Sequence, residues 1–156
     1  MIVLAGLRRA SAADLDAITA LQHAAYAKNR PLLGVEPLPL LVDYKDVLAN
    51  YEVWLADGAD GLDGVLILQA RPDDLLIWSI ATTPHRHGHG VGKKLLAAAH
   101  ERARALGHAV IRLYTGDKLA GNIAWYERNG FVHERIEHLS DRAIVHMVKR
   151  IGRDAA

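Results

Sequence analysis

The sequence predicts an α/β (α+β) protein, a mixed and mostly antiparallel sheet of about six to seven strands flanked by helices. Three observations carry this. The apolar, β-branched run from Leu75 to Thr82 reads as a buried strand, which Pro84 stops. From Val91 the apolar residues recur at Leu95, Ala99, Ala103 and Leu106, the spacing of a helix, and Gly107 is placed as its C-cap. A further strand, Ala109 to Tyr114, follows. This strand–helix–strand crossover implies a parallel pair, whereas hairpins on either side imply antiparallel neighbours.

The other elements follow in chain order. Ile2 to Arg9 is expected as the first strand. Ser11 with Asp14 has capping-box spacing and opens a helix that carries Leu15, Ile18, Leu21, Gln22 and Ala25 on one side, to about Tyr26. Lys28 to Pro39 holds three prolines and a glycine and is expected as a loop, followed by a short helix from Leu40 to Asn50. Tyr51–Ala56 and Val65–Ala70 form a hairpin across a turn rich in Asp and Gly. Leu119 to Arg128 reads as a short helix stopped by Gly130. Phe131–Glu137 and Ala143–Lys149 close the chain as strands around Ser140-Asp141. Residues 1–156 contain no repeat or linker and are expected to form a single domain.

Composition narrows the function. A formal net charge of +1 provides no basic field, so no nucleic-acid partner is expected. The absence of cysteine excludes disulfides, thiolate metal sites and a cysteine nucleophile. The apolar N-terminal run lacks a preceding basic segment and is too short to span a bilayer, so no membrane association and a cytoplasmic location are expected.

The segment between Pro84 and Val91 is the most informative. Gly88, Gly90 and Gly92 alternate between a strand and a helix start, where unpaired N–H groups and the positive end of the helix dipole suit an anion. The spacing is neither G-x-G-x-x-G nor a Walker loop. His85, His87 and His89 also alternate, and in an extended segment they would share a side. No carboxylate or cysteine completes a metal shell, and no resident metal is expected.

His87-Gly88-His89-Gly90-Val91-Gly92 resembles the pyrophosphate loop, Arg/Gln-x-x-Gly-x-Gly/Ala, of the GNAT superfamily of acyl-CoA-dependent N-acyltransferases. Asn122-Ile123-Ala124-Trp125-Tyr126-Glu127-Arg128-Asn129-Gly130-Phe131 resembles its second signature, a short helix ending in Tyr-x-x-x-Gly-Phe/Tyr. Asn122 and Tyr126, four apart, share one helix face. The resemblance covers essentially the whole chain and implies the GNAT fold. It also implies acetyl-CoA as cofactor and transfer of an acetyl group to a primary amine of a small molecule or peptide. By resemblance the coenzyme lies along Ile80, Ala81 and Thr82. Its pyrophosphate meets His87, Gly88, His89, Gly90, Val91, Gly92 and Lys93, and Asn122 helps to position it. Tyr126 is the implied general acid, and Tyr26, Glu36 and Asp43 fall in the acceptor pocket.

Three positions depart from the family pattern. His87 stands for Arg or Gln, Leu119 for an Asn seven residues before the tyrosine, and Trp78 for a strand glutamate that serves relatives as base. The general base is therefore open, with Glu36, Asp43 or a histidine as candidates. The alternative reading is a non-catalytic acetyl-CoA-binding sensor or regulatory module of the same fold. Either a monomer or a homodimer is compatible with the sequence.

Overall fold

Ser11 and Asp14 open the first helical segment as their spacing predicts, the Ser11 N–H donating to Asp14 Oδ2 at 2.9 Å. A single 3-10 turn leads into α1 (Leu15–Tyr26), which buries Ile18, Leu21 and Gln22. The computed structural model describes Leu4 and residues 6–152. Seven strands form one sheet: β1 (Arg8–Arg9), β2 (Glu52–Gly58), β3 (Gly61–Ala70), β4 (Leu75–Thr82), β5 (Val110–Gly116), β6 (Val132–His138) and β7 (Ala143–Arg150). The other helices are α2 (Arg30–Leu33), α3 (Tyr44–Asn50), α4 (Val91–Ala105) and α5 (Ala120–Arg128). None of the described helices is long and apolar enough to cross a membrane.

The sheet order is β1-β2-β3-β4-β5-β7-β6, with β4–β5 its parallel pair and every other pairing antiparallel. The mixed sheet thus matches the expectation, and β7 is inserted between β5 and β6. Alternation along each strand divides the core into two layers. Trp54, Leu66, Leu68, Leu75, Ile77, Ile111, Leu113, Val145 and Met147 pack with the apolar side of α4. Val53, Leu55, Val65, Ile67 and Ala81 pack on the other face with α1 and α3.

Three expectations are corrected. The first strand is only Arg8–Arg9, because the chain turns just before it: the Leu7 N–H donates to the Leu4 carbonyl at 3.0 Å and Gly6 takes φ +75°. Ile2, Val3 and Ala5 lie outside the described residues. The expected loop from Lys28 to Pro39 is largely short helical turns. Pro31 stands in the first turn of α2, where a missing N–H costs nothing, and Gly34 ends that helix at φ +73°. The following helix starts at Tyr44 rather than Leu40, since Asp43 caps it by accepting the Lys45 N–H at 2.9 Å.

Candidate active site

The site begins where β4 and β5 part. Their parallel ladder comprises Leu75↔Ile111, Leu76↔Arg112 and Ile77↔Leu113. Beyond Ile77, β4 continues along β3 to Thr82 while β5 follows β7 to Gly116. One edge of β4 from Ser79 to Thr82 is therefore left without a strand partner, and a wedge opens between the strands. A bulge makes the turn-out: Ile67 pairs with Ser79 and Leu68 with Ile77, leaving Trp78 outside the register. The extra residue puts both Trp78 and Ser79 on the face covered by α1 and α3, while Ile80 packs toward α4.

Polar contacts fix that bulge. Gln22 Nε2 donates to Ser79 Oγ at 3.1 Å and to the Tyr44 hydroxyl at 3.0 Å, which itself donates to the Pro39 carbonyl at 2.7 Å. The Tyr26 hydroxyl lies 2.7 Å from Ser79 Oγ and 3.5 Å from the Ile80 carbonyl. Trp78 stacks on Tyr51 with centroids 5.7 Å apart and an 18° angle between planes, and meets Tyr44 edge-on.

Three phenols gather at the wedge. Tyr126 packs edge-on between Trp125 and Phe131, at 5.1 and 5.7 Å between centroids. Burial, then the neighbouring Tyr26, pushes its ionisation well above the ordinary tyrosine range. Burial also raises Tyr26, with a smaller push from Tyr114. Burial and Tyr51 raise Tyr114, against the indole N–H of Trp78 that faces its hydroxyl. All three are protonated at neutral pH. Each is a proton donor in a low-dielectric cleft rather than a base.

The glycine turn sits at one end of the wedge. Gly88 and Gly90 take φ +84° and +81°, left-handed conformations that a side chain would strain, with open space beside each. Gly90 is the N-cap of α4 and has no side chain to satisfy the first-turn N–H groups. Gly92 faces the Trp125 ring, which brings the start of α4 beside α5. A 3-10 turn at Pro84–Arg86 breaks the segment, so the expected extended alternation of His85, His87 and His89 is absent. Arg86 is drawn toward Asp63, 3.6 Å away.

The predicted residues divide as follows. Ile80, Ala81, Thr82, Tyr26 and Tyr126 meet at the wedge, and His87 to Lys93 form the turn at the start of α4. Asn122 is exposed on the first turn of α5. Asp43 lines a cavity of about 500 Å³ with Tyr51 and Trp78, whereas Glu36 pairs with Arg30 at 2.8 Å. Sequence reasoning passed over Gln22, Tyr114, His146 and Glu137. Tyr114 and His146 are registered partners on β5 and β7 with centroids 5.6 Å apart, and His146 Nε2 is 2.8 Å from Glu137 Oε1. The alternation of Arg112 and Tyr114 with Ile111 and Leu113 on β5, and the lone polar His146 within the apolar run of β7, are the signals that could have exposed that pair.

Comparison with known proteins agrees with this geometry. The sequence profile of the acetyltransferase (GNAT) domain matches residues 49–133. The uncharacterized N-acetyltransferase YvbK of Bacillus subtilis (strain 168) is 34% identical over 108 residues, 69% of this chain and 68% of that protein. Among solved structures, nourseothricin acetyltransferase matches at a TM-score of 0.61 with 26% identity over 66% of each chain, slightly under two thirds of its length. PaiA N-acetyltransferase of Thermoplasma acidophilum, solved with coenzyme A, shares the fold at a TM-score of 0.76, with 17% identity over 92% of this chain and 97% of that one. With more than half of its length matched by the profile, the chain belongs to the GNAT acetyltransferase family, enzymes that draw their acyl group from coenzyme A.

Proposed function

We propose that this protein, acting as one domain, transfers an acetyl group from acetyl-CoA to a primary amine of a small molecule or peptide by direct attack, with Tyr126 as general acid. The observation that carries this is the unpartnered edge of β4 from Ser79 to Thr82, whose Ile80 packs against the same core cluster as Tyr126 and which leads to the glycine turn. Such an edge fits an amide-bearing arm, since its free N–H and C=O groups demand partners. The turn from His87 to Lys93 fits a pyrophosphate, and Asn122 stands near enough in sequence and face to Tyr126 to help to position it. When bound, acetyl-CoA supplies the thioester carbonyl that an amine attacks.

The residues of the chain then have separate tasks. Tyr126 gives its proton to the departing sulfur, and its raised ionisation keeps that proton in place at neutral pH. Tyr26 fixes the bulged segment of β4 and forms one wall of the acceptor side. Trp78 and Tyr51 offer stacked aromatic faces, with Asp43 and Asp46 in the same cavity, a combination that attracts a cationic part of the acceptor other than the reacting amine. Glu36, neutralised by Arg30, contributes no free charge to that cavity.

A thiol-release assay tests this with acetyl-CoA and a panel of polyamines, aminoglycosides, nourseothricin, amino acids and short peptides, alongside calorimetry of acetyl-CoA binding. Amine-dependent release supports the enzyme. Binding without release by any amine favours the sensor reading, and failure to bind acetyl-CoA contradicts both.

A further inference from the structure

An alkylammonium has to lose a proton before it attacks, yet β4 carries no carboxylate between Leu75 and Pro84. On the face of the sheet away from α4, a cavity of about 420 Å³ lies between β4, β5, β6 and β7, and Tyr114 and His146 share its wall. Tyr114 follows Leu113, the last β5 residue paired with β4, and so stands where the two strands part. This cavity therefore adjoins the wedge.

Its lining groups are unequal as bases. Arginines hold no lone pair to offer. Glu134 has both oxygens taken by Arg112, at 2.9 and 3.0 Å, and those bonds hold its carboxyl below the ordinary range. Tyr114 ionises only far above neutrality. His146 differs: a carboxylate accepts and does not donate, so the contact with Glu137 places the proton of the neutral imidazole on Nε2. Nδ1 is then the lone pair, and the ring is oriented by its partner and by packing on Tyr114.

We propose that His146, oriented by Glu137, is the general base of the transfer, and that the reacting amine of the acceptor occupies the cavity beside Tyr114. This rests on the acetyltransferase reading above. In the step, the amine nitrogen forms a bond to the thioester carbonyl carbon as the carbon–sulfur bond breaks. The amine reacts as its free base; the one proton its nitrogen then sheds passes to His146 Nδ1, the sulfur takes the proton of Tyr126, and exchange with water returns both side chains to their resting forms. The charged and titratable groups around the imidazole are Arg71 from the turn before β4, Arg112 and Tyr114 from β5, and Glu134, Arg135 and Glu137 from β6.

The test is the pH dependence of kcat/KM for wild type, His146→Gln and His146→Asn, with the fastest amine of the panel and correction for its free-base fraction. A base must be unprotonated to act, so the wild type is expected to show an acidic limb that both variants lack. Each variant should lose about 10²-fold or more in kcat while binding acetyl-CoA as tightly as wild type. Glu137→Ala should lose about tenfold, and Glu137→Gln, whose amide oxygen still accepts from Nε2, should recover most of that loss. Variants that retain the acidic limb, or lose less than about threefold in kcat, overturn the assignment of the base and leave the acetyltransferase reading intact. A wild type that acetylates no amine overturns both.

Discussion

The Tyr26 hydroxyl stands 2.7 Å from Ser79 Oγ, tying α1 to the strand segment that turns away from β5. Tyr26→Phe removes this bond while Ser79 still accepts from Gln22. We expect a loss of about 1 kcal/mol in stability and a several-fold rise in KM for the amine. Ser79→Ala costs more, about 1–3 kcal/mol, because it strips a partner from both Tyr26 and the fully buried Gln22. Thermal unfolding with steady-state kinetics separates the two effects.

Gly64 of β3 lies under the first turns of α4. A Cβ there would stand 2.8 Å from Val91 Cγ1 and 3.0 Å from Leu95 Cδ1, so Gly64→Ala must push α4 or its side chains away from the sheet. Overpacking of this kind costs about 1–3 kcal/mol. Since the glycine turn rides on that helix, calorimetry should also show weaker acetyl-CoA binding, with the fold retained by circular dichroism.

Glu52 and Arg102 form a bidentate pair at 2.8 Å for each bond, and the Trp54 indole donates to the same carboxylate at 3.0 Å. Burial alone would raise the Glu52 carboxyl, but the bonds from Arg102 and Trp54 outweigh it and lower it. Arg102→Met leaves a largely buried carboxylate without its counter-ion and is expected to cost about 3–5 kcal/mol in urea denaturation. The double change Arg102→Met with Glu52→Leu should recover most of that loss.

Acid stability follows from the depressed carboxyls. Hydrogen bonds from Arg8, then the Ser11 N–H, lower Asp14 from 3.8 to about 2. Burial would raise Asp74, but bonds from Arg71 and Arg112 reverse that and lower it. A carboxyl lowered on folding contributes stability that is complete above its unfolded value and lost as pH falls through its folded one. The Asp14 contribution therefore disappears between about pH 4 and pH 2. Arg8→Met should move the acid-unfolding midpoint, followed by circular dichroism, to higher pH. An unchanged midpoint would show that the pair contributes nothing.

The legible parts of the chain were those written in local chemistry. The Ser11/Asp14 cap, the apolar run of β4, the periodicity of α4 and the glycine turn each depend on neighbours within a few residues. The bulge at Trp78 was not legible, because it is a mismatch of register between β3 and β4 that no residue type announces. The pairing of His146 with Tyr114 and Glu137 arises from the insertion of β7 between β5 and β6, a fact of strand order. Proline was misread between Lys28 and Pro39, where Pro31 begins a helical turn rather than preventing one. Of the residues expected on the acceptor side, Tyr26 bonds to Ser79 and Asp43 lines the cavity beside Trp78, whereas Glu36 is held by Arg30.

The most direct measurement is the rate of amine-dependent thiol release by Tyr126→Phe beside wild type, with acetyl-CoA binding measured on the same preparations. Phenylalanine keeps the ring packed between Trp125 and Phe131 and removes only the hydroxyl. The account predicts unchanged acetyl-CoA affinity and a fall in kcat of about 10²-fold. A variant that binds and turns over within about twofold of wild type would contradict it.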